Sequence, residues 1–226
     1  MSARERILGR LRAVVSGARI DGREARVAAR IAHAPEAAVP HQAASAGTAR
    51  MTLFMTKVEA AAGTVGRVSA MAELPKALAH ELRRRNLPAV ARVGAEPAFA
   101  GLDWGSIELS RGVGRIEEPV TLSRAEFGLA ETGTLALASG PDNPVTLTFL
   151  GETHFVVLRE ADLCGGFEDF WAAWRARGLD PRTINLVTGP SRSADIGQVL
   201  QLGAHGPVAL HVFIVADPGD IVVPPT

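Results

Sequence analysis

The chain has 226 residues, 47% of them hydrophobic, which is enough apolar material to pack the core of one sizeable domain or two small ones. Its 24 basic and 24 acidic residues cancel, so no overall electric field draws it to nucleic acid or to an anionic membrane. The single cysteine, Cys164, excludes an internal disulfide and cannot by itself supply the thiolates of an iron–sulfur cluster. We expect a cytoplasmic protein, because the first residues lack the features of a secretory signal and no apolar run is long enough to span a membrane.

An amphipathic, arginine-rich helix is predicted at the start of the chain. Apolar residues recur there at helical spacing, namely Ile7, Leu8, Leu11, Val14 and Val15. Gly17 ends this pattern. Residues 35–50, PEAAVPHQAASAGTAR, are small and marked by proline, which is typical of a mobile connection. We therefore predict an N-terminal helical extension with its linker over residues 1–50 and a main α/β domain over residues 51–226.

The first part of the main domain has the pattern of a parallel crossover unit. A helix near Phe54 is followed by a strand at Thr64–Val68, a helix that starts at Pro75 and a strand at Pro88–Val93. A strand, a helix and a second strand in this order indicate parallel strands of one sheet. Further along, PVTLTFL over residues 144–150 alternates in polarity, and we expect it to form a strand.

A stripe of aromatic residues marks the next predicted helix. Phe167, Phe170, Trp171 and Trp174 lie at helical spacing, and Gly178 follows where a left-handed cap would end the helix. The stripe could be an aromatic ligand site. Its match to a single helix face favours packing in the core.

The last unit of the domain is predicted as strand, helix and strand. INLVTG (184–189) has the pattern of a buried strand, SRSADIGQVLQ (191–201) that of a short helix, and PVALHVFIV (207–215) that of a strand with two apolar faces. Strands buried on both faces lie inside sheets that helices cover. We therefore predict an α/β three-layer sandwich with a mostly parallel sheet.

The first candidate site is the turn after the predicted strand at 184–189. Gly189 allows a sharp turn, and Ser191 or Ser193 can cap the predicted helix while its first amide groups point outward. Arg192 would add a charged donor suited to phosphate or carboxylate. In the alternative interpretation Asp195 pairs with Arg192, so that the turn satisfies its own charges.

The second candidate site is FGLAETGTLALASG, residues 127–140, in which Glu131 is the only charge. A carboxylate in such surroundings must find donors, take up a proton or face a cavity. Beside Thr132, Gly133 and Thr134, Glu131 could be a catalytic nucleophile or general base, or could hold a ligand hydroxyl. It could equally accept backbone hydrogen bonds and fix a turn.

The histidines give a third candidate site but no metal site. His205 and Gly206 lie in a glycine-rich turn before the last strand, so the backbone can approach a ligand or another loop closely. His211, inside that strand, is predicted to be a core residue. Four other histidines lack the spacing of metal ligands: His33, His41, His80 and His154. We predict no metal site, and Cys164 has no basic neighbour that would make it a nucleophile.

Three motifs together resemble one family. AETGTLAL (130–137), VTGPSRSADIGQ (187–198) and LGAHGPVALHVFIV (202–215), in this order, are similar to the lactate utilization protein C (LutC) family with its LUD domain. The resemblance extends from about Leu53 to Val215. It implies a fold like that of the sugar-phosphate isomerase and CoA-transferase (NagB/RpiA-like) superfamily. The residues of the three candidate sites are nominated from it only as motif positions.

The resemblance also implies a function and partners. The family is expected to act beside two iron–sulfur proteins, subunits A and B, in a system that oxidises L-lactate to pyruvate. The leading hypothesis is therefore an accessory subunit that binds no cofactor itself, with the clusters on its partners and a pocket for a small anionic ligand. One alternative is a stand-alone enzyme acting on a CoA thioester or phosphorylated metabolite with Glu131 as nucleophile or base. Another is a non-catalytic protein-interaction module.

Overall fold

A computed structural model describes residues 2–17, 22–33, 38–194, 200–203 and 205–216. The chain divides into two compact units, Met1–Ala38 and Val39–Thr226. The first unit contains helices α1 (Ala3–Gly17) and α2 (Arg23–Ala32). The predicted N-terminal helix is thus present, and apolar residues such as Ile7 are exposed on it.

The second unit contains the remaining elements. Its α-helices are α3 (Gly47–Ala60), α4 (Leu74–Arg84), α5 (Val145–Phe149) and α6 (Phe167–Ala176), and short 3-10 helices lie at His41–Ala44, Met71–Glu73, Pro97–Phe99 and Glu160–Asp162. Its strands are β1 (Thr64–Val68), β2 (Val90–Val93), β3 (Glu108–Arg111), β4 (Val120–Arg124), β5 (Phe127–Leu129), β6 (Thr134–Ala138), β7 (Thr153–Arg159), β8 (Leu163–Cys164), β9 (Ile184–Val187), β10 (Arg192–Ala194), β11 (Leu200–Leu202) and β12 (Ala209–Val215). Helix α3 begins inside the segment that we predicted as a mobile connection, and Ala43 just before it is buried.

The central feature is a six-stranded sheet with the order β1-β12-β7-β4-β2-β3, whose pairings are all parallel in the described part of the chain. Strand β12 lies inside this sheet, as its two apolar faces predicted. Strands β1 and β2 belong to the same parallel sheet, as the crossover pattern predicted, but three other strands separate them. The α/β prediction with a mostly parallel sheet is confirmed.

Helices and a second sheet cover the two faces of this sheet. Helix α4 packs on one face, where Leu78 contacts a cluster that includes Phe155 and Phe213. Helix α3 and the antiparallel pair β5–β6 pack on the other face, where Phe54 and Leu135 share a cluster with residues of β7 and β12. This arrangement confirms the three-layer sandwich. The second sheet, with the order β8-β5-β6-β9, is an addition that the sequence did not predict.

The aromatic stripe belongs to helix α6, which packs on the second sheet. Phe170 and Trp174 are buried against Phe127, while Trp171 is 37% exposed. Gly178 adopts a left-handed φ of 63° just after the helix. Phe170 and Trp174 of the stripe therefore pack in the core, as the helical spacing predicted.

One predicted strand is wrong, and another lies in a different sheet. Residues Val145–Phe149 of PVTLTFL form helix α5, because Pro144 has the φ of a helix start and Leu147 and Thr148 are buried by this turn. An alternation over so few residues cannot separate a strand from a helix. Strand β9 exists as predicted, but it is an edge strand of the second sheet and its Leu186 is 43% exposed.

No helix in the described ranges has both the length and the apolar character needed to cross a membrane.

Candidate functional site

A cavity of about 210 Å³ lies where two of the predicted loops meet. One wall is the loop that follows β9, and another is the loop that precedes β12. Helix α5 and strand β7 complete it. The lining residues are Thr148, Phe149, His154, Leu186, Val187, Gly189, Pro190, Ser191, His205, Gly206, Pro207 and Leu210.

Backbone hydrogen bonds hold the two loops together. The Ser191 amide donates to the Pro207 carbonyl oxygen at 2.9 Å, and the Gly203 amide donates to the Ser191 carbonyl oxygen at 3.1 Å. A Cβ atom built on Gly206 would lie 3.2 Å from the Ser191 Cβ, so the loops pack closely. Because both loops are anchored to each other, they form one continuous wall.

Gly189 is required by the backbone path of this wall. Its φ is 75°, a left-handed value that side-chain-bearing residues rarely adopt. A Cβ atom at this position would lie 2.2 Å from the Ala61 carbonyl oxygen, just after α3. The glycine thus lets the turn pass directly against the end of α3.

Two buried polar side chains line the cavity without a protein partner. Within the part of the chain that the structure describes, neither ring nitrogen of His154 forms a hydrogen bond. The Thr148 hydroxyl forms none there either. Burial lowers the pKa of His154 to about 3, so the ring is neutral and offers one donor and one acceptor. A buried polar group without a partner costs about 1–3 kcal/mol, which a ligand that supplies the partner would recover.

Four of the predicted site residues are brought together here: Gly189, Ser191, His205 and Gly206. The ETGT turn supports the cavity without lining it. The Thr134 hydroxyl lies 2.7 Å from that of Thr132 and 2.6 Å from that of Thr188, the residue before Gly189. This chain of hydroxyl groups connects the ETGT turn to the cavity wall.

Glu131 lies elsewhere in the domain. Its amide donates to the Gly165 carbonyl oxygen at 2.9 Å, and a Cβ atom on Gly166 would lie 2.7 Å from its Oε2 atom, so the carboxylate is beside the start of α6. Gly133 has a φ of 69° and lies against the backbone of α3, since a Cβ atom there would be 2.6 Å from the Val58 amide nitrogen. The structure therefore does not bring Glu131 into the cavity, and its catalytic role stays a prediction.

The helix predicted over residues 191–201 is wrong. Arg192–Ala194 and Leu200–Leu202 form the antiparallel pair β10–β11, in which Ser193 pairs with Gln201. An isolated helix of this length is marginal, and pairing with a neighbouring segment satisfies the same backbone groups. The Ser191 amide donates to the Pro207 carbonyl oxygen, so among the described residues of this segment no helix N-terminus presents free amides to an anion. Arg192 is exposed, and Asp195 lies outside the described residues.

His154 and Thr148 are the residues that sequence reasoning missed. His154 lacks the spacing of a metal ligand, yet it is the polar residue inside a strand that is buried from Thr153 to Leu158. Thr148 was assigned to a strand, so its position at the cavity could not be inferred. A polar side chain within a fully buried strand was the available signal.

Among the described residues that line the cavity there is no Asp, Glu, Lys or Arg, and Arg192 is the residue that follows Ser191 of the cavity wall. In the described ranges, no group of three or more His, Cys, Asp or Glu side chains is placed to hold a metal ion. Burial raises the pKa of Cys164 to about 11, which agrees with the expectation that this thiol is not a nucleophile.

We expect the protein to lose stability as the pH falls from 7 to 4.5. The ordinary pKa of histidine is 6.5, while burial lowers that of His154 to about 3, so the unfolded chain binds the proton first. The stability contributed by the neutral ring is complete above pH 6.5 and is lost as the pH falls through this window, with a limiting slope of about 1.4 kcal/mol per pH unit. Urea unfolding between pH 7 and 4.5 measures it.

The histidine variants test the source of this slope. His154→Gln should make the pH dependence shallower, and the slope that remains comes from His211, whose pKa burial also lowers, to about 4. His41→Gln, a change at an exposed histidine, should keep the wild-type slope. Equal slopes for wild type and His154→Gln would show that His154 is not the group that titrates.

Comparison with known proteins shows which family this part of the chain resembles. Residues 118–215 match the sequence model of the LUD domain family. All the residues that line the cavity lie within that range. This segment of the chain is therefore similar to the LUD domain.

Relatives agree with this assignment. The chain is 30% identical over 120 residues to lactate utilization protein C of Bacillus licheniformis, covering 51% of this chain and 50% of that protein. It is 35% identical over 95 residues to an uncharacterized protein of Neisseria meningitidis, covering 41% of this chain and 40% of that protein. The resemblance to the lactate utilization protein C family is thus confirmed, and the match spans half or less of the length of these relatives.

A solved structure supports the fold. The crystal structure of a DUF162 family protein from Deinococcus radiodurans at 1.70 Å resolution has a TM-score of 0.55 and 23% sequence identity, covering 74% of this chain and 96% of that one. At this identity the comparison supports the three-layer α/β architecture.

Proposed function

We propose that the chain is an accessory subunit of a system that oxidises L-lactate to pyruvate, that it works with iron–sulfur partner proteins, and that its cavity binds a small organic anion. The similarity to proteins named lactate utilization protein C supports the pathway. The observation that supports a ligand is that two buried polar residues, Thr148 and His154, line the cavity and have side-chain atoms with no hydrogen-bond partner among the described residues.

The size and lining of the cavity favour a ligand such as a short 2-hydroxy or 2-oxo acid. Pockets for drug-sized ligands measure roughly 300–1,000 Å³, so a cavity of about 210 Å³ suits a metabolite of few atoms. Apolar side chains such as Phe149 and Leu210 can contact a methyl group. Ser191, Thr148 and His154 can donate hydrogen bonds to a carboxylate or carbonyl oxygen, and so can His205 at the rim.

An accessory role follows from what the chain can supply to the reaction. Oxidation of lactate to pyruvate releases two electrons, and the thiolates of an iron–sulfur cluster cannot come from a single cysteine. The proposal therefore assigns electron transfer to the partner proteins. This chain would bind and orient the acid or its product.

His205→Ala is expected to weaken the binding of L-lactate or pyruvate by roughly tenfold or more, because a hydrogen bond to a charged group contributes about 1.5–3 kcal/mol. His205 is exposed at the cavity rim, so the change should leave the fold intact. Isothermal titration calorimetry with each acid measures the affinity. His41→Ala, at another exposed histidine, is the matched control and should bind like the wild type.

A second experiment tests the pathway independently of the ligand. A strain that lacks this gene should fail to grow on L-lactate, and growth should return with the wild-type chain. The iron–sulfur proteins should be recovered with a tagged copy of the chain. A deletion strain that grows normally on lactate would refute the assignment, even if the cavity binds an acid.

A further inference from the structure

A second and larger cavity, of about 420 Å³, lies between α4 and the strands β1 and β12. It is on the opposite face of the sheet from the first cavity. His154 pairs with Leu210 at the first cavity, and the next pair, Phe155 with His211, faces the other side because side chains alternate along a strand. Its lining includes Gly66, Val68, Lys76, Ala77, His211 and Phe213.

The hydrogen bonds of His211 define which ring nitrogen carries the proton. Its Nδ1 atom lies 2.7 Å from the Thr64 hydroxyl and 3.3 Å from Nη2 of Arg85. A guanidinium can only donate, so Nδ1 is an acceptor. Burial lowers the pKa of His211 to about 4, so at neutral pH the ring is uncharged and its hydrogen is on Nε2.

This Nε2–H group is a donor without a protein acceptor. His211 is only 3% exposed, and its Nε2 atom has no hydrogen-bond partner among the described residues. The atom faces Gly66, where a Cβ atom would lie 3.2 Å from it. Because Gly66 has no side chain, space remains beside the donor. The prediction that His211 is a core residue explains its burial but not the position of this Nε2–H group.

The charged groups around the cavity leave a cation for a ligand. Glu81 accepts hydrogen bonds from Arg84 and Arg85, and Arg67 pairs with Glu160 at 2.9 Å. Lys76 is 86% exposed, and its ammonium lies 3.9 Å from Glu73, at the limit of an ion pair. Such exposed pairs are weak, so the lysine can turn towards a ligand anion.

We propose that this cavity is a second ligand site and that it binds an organic carboxylate with an apolar body. One carboxylate oxygen accepts from Nε2–H of His211. The apolar body lies against Val68, Ala77 and Phe213. Lys76, at the mouth, supplies the opposite charge. This proposal does not depend on the function proposed for the first cavity.

Benzoate, with neutral benzamide as its partner, is a suitable probe for the full-length protein. Calorimetry should show that benzoate binds the wild type and that benzamide binds at least tenfold more weakly. In nitrogen-edited spectra of histidine-labelled protein, the His211 Nε2–H signal should shift on addition of benzoate, which a purely structural histidine would not show.

Two variants locate the binding. Gly66→Ala should weaken benzoate binding at least tenfold, because the added methyl group would lie beside Nε2, while Lys76→Gln should weaken it roughly threefold. Arg83→Gln, an exposed change on the same helix away from the cavity, is the control and should have no effect. His205→Ala should also leave benzoate binding unchanged, which separates this site from the first cavity.

Each outcome decides the proposal. Failure of benzoate to bind the wild type would overturn it, as would binding that persists at full strength in both Gly66→Ala and Lys76→Gln. If Gly66→Ala does not fold, the Lys76→Gln affinity and the His211 signal still decide.

Discussion

Gly189→Ala is expected to lower the free energy of unfolding by about 2–5 kcal/mol and to displace the loop that lines the first cavity. A residue with a side chain pays about 1–2 kcal/mol to hold the left-handed φ of 75°. The new Cβ atom would lie 2.2 Å from the Ala61 carbonyl oxygen and 3.0 Å from the Ala61 Cβ, and such overpacking costs about 1–3 kcal/mol. Since the closest contact is with a backbone atom of Ala61 at the end of α3, we expect the loop of Gly189 to move instead of the helix.

Gly101 provides the matched control for this substitution. Its φ is 79°, nearly the same as that of Gly189, but a Cβ atom there would meet no atom within 4 Å. Gly101→Ala should therefore lower the free energy of unfolding only by the cost of holding a left-handed φ, about 1–2 kcal/mol. Urea unfolding of both variants, with calorimetric titration of lactate, measures stability and cavity together. Equal losses in the two variants would show that the close approach to Ala61 is unimportant.

Phe170→Ala is expected to cost about 3–5 kcal/mol of unfolding free energy. The ring is fully buried, with its centroid 5.7 Å from that of Phe127 and 5.5 Å from that of Trp174, so truncation leaves a cavity between α6 and the second sheet. Each aromatic pair adds about 0.5–1.5 kcal/mol beyond the buried area. Thermal and urea unfolding should both show the loss.

The neighbouring residue gives the control for this core change. Trp171 is larger than Phe170 but 37% exposed, so Trp171→Ala removes less buried surface and should be markedly less destabilising. If Trp171→Ala were the more damaging change, the aromatic face of α6 would have another role than packing. A ligand or partner at the exposed ring would then be the first explanation to test.

Long periodic segments made most of the fold predictable. The helix after Pro75 and the aromatic helix were both predicted from patterns that one secondary-structure type alone explains. Short segments were predicted less well. Val145–Phe149 form a helix, and Arg192–Ala194 pair with Leu200–Leu202 as strands, because partners distant in sequence decide the conformation of segments this short.

The candidate site was predictable in part for a similar reason. Glycine-rich turns at strand ends indicated the loops that contain Gly189 and His205, and those loops meet. The position of Glu131 could not be inferred, because the sequence does not show that β5, β6 and β9 form a second sheet. His154 was missed because its significance depends on a cavity beside it, and a cavity has no signature in the sequence.

The LUD-matched segment, residues 118–215, contributes only the middle strands β4, β7 and β12 to the six-stranded sheet. Helices α3 and α4, which cover its two faces, and the outer strands β1, β2 and β3 all precede residue 118. An excised 118–215 fragment would therefore expose Phe155 and Phe213 on the face that α4 covers, and it would lose Phe54 of α3 from the opposite face. Such a fragment would be prone to aggregate, so the boundaries of a sequence family and those of an independently folding piece differ in this protein.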